Sequence, residues 1–291
     1  MKVLITGGGG QLARELCGRA PVDVEALAPP RSELDITDHD AVERLLDDDA
    51  PELVINTAAH TAVDRAESEP DVARAVNAVA AGALAAAATS RGCRVVHLST
   101  DFVFGGATGR PHRIDDPTHP LGVYGRTKLE GERAVLDATN GDALVLRSAW
   151  IYSRYGHNFV RTMLRLMADR DRLTVVDDQI GTPTWAGDLA RAIWQLAANP
   201  RARGILHWTD AGVASWFDFA VAIYEEGRRL GLVDSSVSLE PVPSTAYPTP
   251  AERPAFSVLD KTATFEFLDL RPRHWRVALR RMLEGVRGDR P

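Results

Sequence analysis

Tyr124 and Lys128 stand four positions apart in Tyr124-Gly125-Arg126-Thr127-Lys128, a spacing that puts both on one face of a helix. Such a pair has a chemical use. Reducing a ketone requires a proton donor at the developing alkoxide, and a phenol with an ordinary pKa of about 10 exchanges protons slowly near neutrality. A neighbouring ammonium favours phenolate and lowers that pKa, and the same lysine can hold the ribose of a nicotinamide. Alone, the spacing fits equally well an aromatic core residue followed by a solvated lysine. Ser99-Thr100-Asp101 supplies a third member, at the end of an apolar run, where ligands gather in open parallel sheets. Thr100 there can donate to a carbonyl oxygen and polarise it. Its bland reading is a turn capped by threonine and aspartate.

A second constellation opens the chain. Gly7-Gly8-Gly9-Gly10-Gln11-Leu12-Ala13 follows directly on the apolar run Lys2 to Thr6. Gly8, Gly10 and Ala13 fit G-x-G-x-x-A, while Gly7, Gly10 and Ala13 fit G-x-x-G-x-x-A. Glycines turn the chain tightly and admit a pyrophosphate against the backbone, and a helix N-terminus adds oriented N–H groups. A glycine cluster by itself would also describe a mobile turn; between a strand and a helix it predicts dinucleotide binding. The end of the second strand selects the cofactor, because a carboxylate there binds the ribose 2′-hydroxyl whereas an arginine accepts a 2′-phosphate. The chain reads Ala28-Pro29-Pro30-Arg31-Ser32. NADPH is therefore expected over NADH, with Arg31 on the phosphate unless it is simply an exposed loop residue. Asp35, in Leu34-Asp35-Ile36, is placed either to bond the adenine or to cap a turn.

These residues need a scaffold, and the first half alternates short apolar runs with helical patterns, as crossover units of a parallel sheet do. Strands are expected at Lys2 to Thr6, Val22 to Leu27, Leu53 to Asn56, Arg94 to Leu98 and Ala143 to Leu146. Thr37 with Asp40 resembles a capping box opening a helix over Asp38 to Asp47. The alanine-rich run Val72 to Thr89 reads as a buried helix, alanine being the best helix former. After about Ser148 the alternation weakens. Prolines 241, 243, 248, 250 and 254 predict a surface meander, since they forbid helix and discourage central strand. The fold class is thus α/β: a doubly wound Rossmann-type parallel sheet with a smaller C-terminal α/β substrate lobe. Residues 1–148 are assigned mainly to dinucleotide binding and 149–291 mainly to the lobe, with some later segments returning to the core.

Charge and composition exclude other classes. A net charge of −6 with interspersed signs gives no general attraction to nucleic acid or to an anionic membrane. The arginines near the C-terminus alternate with Trp275, Leu279, Met282 and Leu283 at helical spacing, as on the wet face of an amphipathic helix. Cys17 and Cys93 read as reduced packing residues in helix and helix-end contexts. The N-terminus has an apolar run too short for a signal peptide, and no 18-residue apolar stretch is read further on. A soluble cytoplasmic protein is expected, with a homodimer left open. No histidine or carboxylate cluster has metal-ligand spacing, and the lone His60 reads as structural.

With the glycine loop, Ser-Thr-Asp and Tyr-x-x-x-Lys in this order, the chain resembles the extended short-chain dehydrogenase/reductases, and among them the dTDP-4-dehydrorhamnose reductase family. The likeness runs through Asn56-Thr57-Ala58-Ala59, Thr61-Ala62-Val63-Asp64, Leu98 to Phe104, Arg147 to Tyr152, Asn158-Phe159-Val160, Asp178 to Thr184, and Arg253-Pro254 with Ser257. It implies reduction of a nucleotide-linked 4-keto-6-deoxy sugar by NADPH, with Thr100, Tyr124 and Lys128 catalytic. Gly7, Gly10, Gln11, Leu12, Arg31, Asp35, Ile36, Ala58, Ala59, Tyr124 and Lys128 would hold the cofactor. Thr100, Asp101 and Phe102 would meet the sugar with Trp150 against it, and Asn158 and Arg253 would lie near the nucleotide diphosphate. Bland readings stand beside these: Trp150 in the core, Asn158 capping a helix, Arg253 tying the meander together. The chain departs from the family at Phe102, where tyrosine is usual, at His60, where an aromatic hydroxyl is common, and at Glu252 and Phe256. Two other readings remain at this stage. An epimerase or dehydratase would keep the fold, though Phe102 after Asp101 counts against dehydration. A non-catalytic dinucleotide-binding subunit could keep even Tyr124 and Lys128.

Overall fold

The computed structural model describes residues 1–288. In chain order the strands are β1 Lys2–Thr6, β2 Glu25–Leu27, β3 Leu53–Asn56, β4 Arg94–Thr100, β5 Leu144–Ser148, β6 Ile151–Tyr152, β7 Arg172–Val176, β8 Ile180–Gly181, β9 Thr184–Trp185, β10 Gly204–His207, β11 Ala214–Ser215 and β12 Ser238–Val242. The α-helices are α1 Gln11–Cys17, α2 His39–Asp49, α3 Val63–Ser68, α4 Pro70–Arg74, α5 Ala81–Ser90, α6 Val123–Ala138, α7 Phe159–Asp169, α8 Ala186–Ala198, α9 Trp216–Leu230 and α10 Trp275–Gly288. A π-helical turn, Ala75–Ala80, joins α4 to α5.

Six strands form one parallel sheet in the order β10-β5-β4-β3-β1-β2. Its strands are apolar on both faces, as parallel strands covered on both sides must be. Successive side chains alternate: Val3 and Ile5 join Leu12, Leu16, Leu189 and Ile193 under α1 and α8, while Leu4 joins Val42, Leu46, Leu84 and Val135 under α2, α5 and α6. The doubly wound reading holds. Neighbouring strands lie on opposite sides of β1, so the strand order reverses there and a crevice opens beyond the C-terminal ends of β1 and β3.

The second half contributes two things. Strand β10 pairs with β5 and completes the sheet. The rest forms a lobe with its own core, where Met163, Phe219, Ile223, Trp275 and Leu279 pack around the parallel pair β7–β12. Pro241 lies inside β12, tolerated because that pair has only edge strands. The terminal amphipathic helix is present as α10, with Trp275, Leu279, Met282 and Leu283 buried.

Several local expectations are corrected. Strand β2 begins at Glu25, not Val22, whose side chain is fully exposed. Helix α2 is capped by Asp38, which accepts from the Ala41 N–H at 3.0 Å. Thr37 instead donates its hydroxyl to Asp35. The continuous helix Pro70–Ser90 has 21 residues and a mean hydropathy of 1.4, so one segment is long and apolar enough to cross a membrane by composition alone. In the fold it packs against α2 and α6, with Ala81, Leu84, Ala85 and Ala88 buried. Cys93 is buried as expected, but Cys17, ending α1, is exposed, and both thiols are free.

Candidate active site

The glycine loop turns out of β1 with Gly7 at φ +74°, a conformation that a side chain would strain. Gly8 donates its N–H to the Pro29 carbonyl, and a Cβ on it would stand 1.9 Å from the Ala28 oxygen. Gly9 faces the other way, into open space, with nothing within 4 Å of a Cβ position. The loop therefore lies flat on the β2 side and presents bare backbone to a cleft of about 500 Å³, within the size range of small-molecule sites. That geometry suits a diphosphate. Gly7, Gly10, Gln11, Leu12, Arg31, Asp35, Ile36, Ala58 and Ala59 all line the cleft, so every cofactor residue expected from the sequence is there except Tyr124 and Lys128 of α6.

Two of them are already engaged. Arg31 forms an ion pair with Asp35 at 2.9 Å while remaining largely exposed. Asp35 also accepts from the backbone N–H and hydroxyl of Thr37, bonds that, the backbone one foremost, hold its carboxyl below the usual range. The turn role foreseen for Asp35 is thus seen. Sequence reasoning did not find the opposite wall, where Ile151, Gly156 and His157 come from the second half of the chain. Gln11 ties this wall to the glycine loop: its amide donates to the Ile151 carbonyl at 3.1 Å and accepts from Asn158 at 3.3 Å.

Thr100 ends β4, and its hydroxyl donates to Asp101 at 3.1 Å and accepts from the Phe102 N–H at 3.2 Å. The Tyr124 phenol lies near the same threonine, whose hydroxyl favours its ionised form, and the Phe102 ring meets the tyrosine edge-on with centroids 5.5 Å apart. Helix α6 comes this close because Gly125 lacks a side chain; a Cβ there would stand 2.2 Å from the Phe102 carbonyl oxygen. The helix start is capped from a distance, by Glu67 of α3 accepting from the Val123 N–H at 2.7 Å. An anion at a helix N-terminus is favourable. Asn77, in the π turn, exchanges hydrogen bonds with the His60 backbone and donates to Thr127 on α6.

The electrostatics correct one expectation. Burial pushes the Tyr124 phenol up to about 12, with Thr100 opposing and Asp101 adding to the rise. The lysine does not lower it here. Lys128 instead donates to the Leu98 carbonyl at 2.7 Å and meets His97 at 3.4 Å, and burial takes its ammonium down to about 8. Asp101 is buried too, which raises its carboxyl to about 6 against the opposing hydroxyls of Ser257 and Thr100. Behind these groups, Glu132 accepts from Ser99 and from Arg147 in a fully buried pair.

The substrate residues divide. Asp101 and Phe102 adjoin Thr100 and Tyr124. Trp150, in the left-handed region at φ +47°, stacks on Trp216 with centroids 3.5 Å apart. Asn158 caps α7 by accepting from the Arg161 N–H, and Arg253 forms a bidentate pair with Asp64 while donating to the Ala251 carbonyl. The bonds required by the bland readings of Asn158 and Arg253 are therefore present.

Glycine loop, Tyr-x-x-x-Lys and a threonine at a strand end, on this doubly wound sheet, define a dinucleotide-dependent oxidoreductase of the short-chain dehydrogenase/reductase type. The chain belongs to the RmlD substrate binding domain family, whose model matches residues 1–287. A dTDP-4-dehydrorhamnose reductase of Burkholderia thailandensis is 42% identical over 289 residues, covering 96% of this chain and 97% of its own. A crystal structure of a dTDP-4-dehydrorhamnose reductase from Clostridium acetobutylicum is similar with a TM-score of 0.91 at 39% identity, covering 98% of this chain and 99% of its own. One from Bacillus anthracis, in complex with NADP, has a TM-score of 0.92 at 32% identity and the same coverage.

Proposed function

We propose that this chain uses NADPH to reduce the C4 ketone of dTDP-4-dehydro-L-rhamnose, or of a close 4-keto-6-deoxy relative, to the alcohol. The observation that carries the reading is the placement of Tyr124 of α6 against the Thr100–Phe102 turn that ends β4, the strand whose Leu98 lines the glycine-loop cleft. Bound NADPH supplies the hydride. Gly7, Gly10, Gln11 and Leu12 would hold its diphosphate, Arg31 the 2′-phosphate, and Asp35, Ile36, Ala58 and Ala59 the adenosine side; Lys128 would hold the nicotinamide ribose. NADH would fit the same cleft without using Arg31.

Thr100 and Tyr124 would together meet one carbonyl oxygen, polarise it and stabilise the charge that develops on it. The phenol, at about 12, carries its proton throughout the neutral range and gives it to the alkoxide, a much stronger base. Asp101 and Phe102 border the reacting carbon, and Trp150 offers an aromatic surface to the sugar. Asn158 and Arg253 act where they stand, fixing the loops beside the nucleotide diphosphate. Binding energy from the remote nucleotide then holds the ketone in place. An epimerase is the weaker reading, since the full-length relatives at about two-fifths identity are named as reductases. We further infer a soluble, cytoplasmic enzyme from the two free thiols and these relatives.

The test supplies the dTDP-linked and the free 4-keto sugar with NADPH, follows absorbance, and assigns the product's C4 configuration by NMR. Efficient reduction of the linked form alone is expected. Comparable reduction of both removes the nucleotide-sugar assignment, and reduction at another carbon removes the chemistry.

A further inference from the structure

Three polar residues run in a row across the sheet beneath α6. Thr6 of β1 is in register with Asn56 of β3, and Asn56 with His97 of β4. All three are buried to within 1% of complete. Such groups survive in a core only when their hydrogen bonds are satisfied, and here those bonds fix the positions of protons.

The Asn56 amide oxygen is identified by its donors: the Thr6 hydroxyl at 2.7 Å and the Ala58 backbone N–H at 3.1 Å. A backbone N–H can only donate, so the amide NH₂ is the end that faces His97 Nδ1, at 3.1 Å. Nδ1 therefore accepts. Burial, together with the Lys128 charge, holds the imidazole well below its ordinary range, so the ring is neutral and its one proton sits on Nε2. That N–H faces Lys128 Nζ at 3.4 Å. An ammonium would oppose it donor to donor, whereas an amine can accept from His97 and still donate to the Leu98 carbonyl at 2.7 Å.

We propose that His97 is a positioning residue for the reductase reaction: its Nε2–H, fixed by Asn56 and Thr6, aims Lys128 Nζ and opposes its protonation. The effect adds to burial, which already brings the lysine to about 8. The other charges around Lys128 are accounted for. Glu132, one turn on along α6, favours the ammonium but is bound by Arg147 of β5 and Ser99 of β4. Tyr124 on α6 holds its proton, and the Asp101 carboxyl after β4 is raised towards neutrality by burial. An ammonium donates to the ribose hydroxyls more strongly than an amine, so the basic limb of the pH profile reports how strongly His97 disfavours it.

Asn56→Asp tests this with almost no change of shape. The carboxylate keeps its acceptor for Thr6 and Ala58, and its second oxygen draws the histidine proton to Nδ1, leaving Nε2 to accept from an ammonium. Nitrogen-15 histidine NMR should show Nε2–H in the wild-type protein and Nδ1–H in the variant. In kcat/KM against pH, the basic limb should rise by roughly one to three units in Asn56→Asp, rise likewise in His97→Leu, and stay near wild type in His97→Gln, which retains an N–H donor. A lower rate with an unmoved limb in Asn56→Asp means that the row is only structural and overturns the proposal, as does an Nδ1–H tautomer in the wild-type protein. The kinetic arm rests on the reductase reading. Protein with the Nε2–H tautomer that reduces no keto sugar would sink that reading while supporting the proton arrangement, and Asn56→Asp carries the test if His97→Leu does not fold.

Discussion

Tyr124 and Arg31 were both visible in the sequence, and the structure gives them different surroundings. Tyr124 is desolvated beside Thr100, so Tyr124→Phe should lower kcat by roughly 10²- to 10⁴-fold, the range for losing a general acid. NADPH binding, followed by fluorescence, should persist. Arg31 stands in solvent with, among the described residues, only Asp35 as partner, a surface pair worth about 1 kcal/mol or less and readily exchanged for a phosphate. Arg31→Ala should weaken NADPH by about ten- to a hundredfold, as for a charge-assisted bond of roughly 1.5–3 kcal/mol, and leave NADH unchanged; titration with both cofactors decides. Asp101 is a matter of stability. Its folded pKa of about 6 lies above the ordinary aspartate value of 3.8, so the folded state binds the extra proton between those values. Stability falls as pH rises through that window, by up to about 3 kcal/mol. Asp101→Asn should therefore raise Tm at pH 7.5 and gain little at pH 4. His97 escaped sequence reading because a lone histidine in an apolar strand has no local pattern. Only the cross-strand register with Asn56 reveals what it does.

At the scale of elements, β1 and β3 were legible to the residue because their apolar runs end abruptly. The expected β4 and β5 stopped short of Thr100 and Ser148 because their last residues, Ser99-Thr100 and Arg147-Ser148, are polar, and at this end of a parallel sheet polar residues are what a site requires. Strand β10 is four residues long and follows a turn, too short for its alternation to stand out. The cap of α6 was illegible for another reason: Glu67 lies 56 positions upstream of the N–H it accepts from. Gly125 seats α6 against the turn that carries Asp101 and Phe102. Gly125→Ala must push the helix off that turn, and overpacking of this kind costs about 1–3 kcal/mol. The expected result is a lower Tm and a kcat reduced by about 10²-fold or more, since even ångström displacements of catalytic groups have that effect. NADPH affinity should fall less than kcat, because only the Lys128 contact rides on α6 while the glycine-loop cleft is not touched; equal losses of affinity and kcat would count against this division of labour.

For the whole molecule, the halves before and after residue 148 are interlocked: the second completes the sheet with β10 and supplies Ile151, Gly156 and His157 to the glycine-loop cleft. One face of the sheet is covered by α8 and closed by Trp208, and the Trp194 indole donates to the Leu16 carbonyl across 178 positions. A fragment of residues 1–148 should therefore show no cooperative thermal transition and no NADPH binding, whereas the full chain shows both. A folded, NADPH-binding fragment would establish the first half as independent. The same return of the chain governs how the protein must be made. Strand β5 ends 56 residues before the Gly204 that begins its partner β10, and at about 5–20 residues per second its open edge waits for several seconds. Through that interval Leu12, Leu16, Leu144 and Leu146 have no cover from α8, and the nascent chain presents an apolar sheet face beside an unpaired strand. The enzyme's exposure to aggregation is thus greatest on the ribosome, before its last third has emerged.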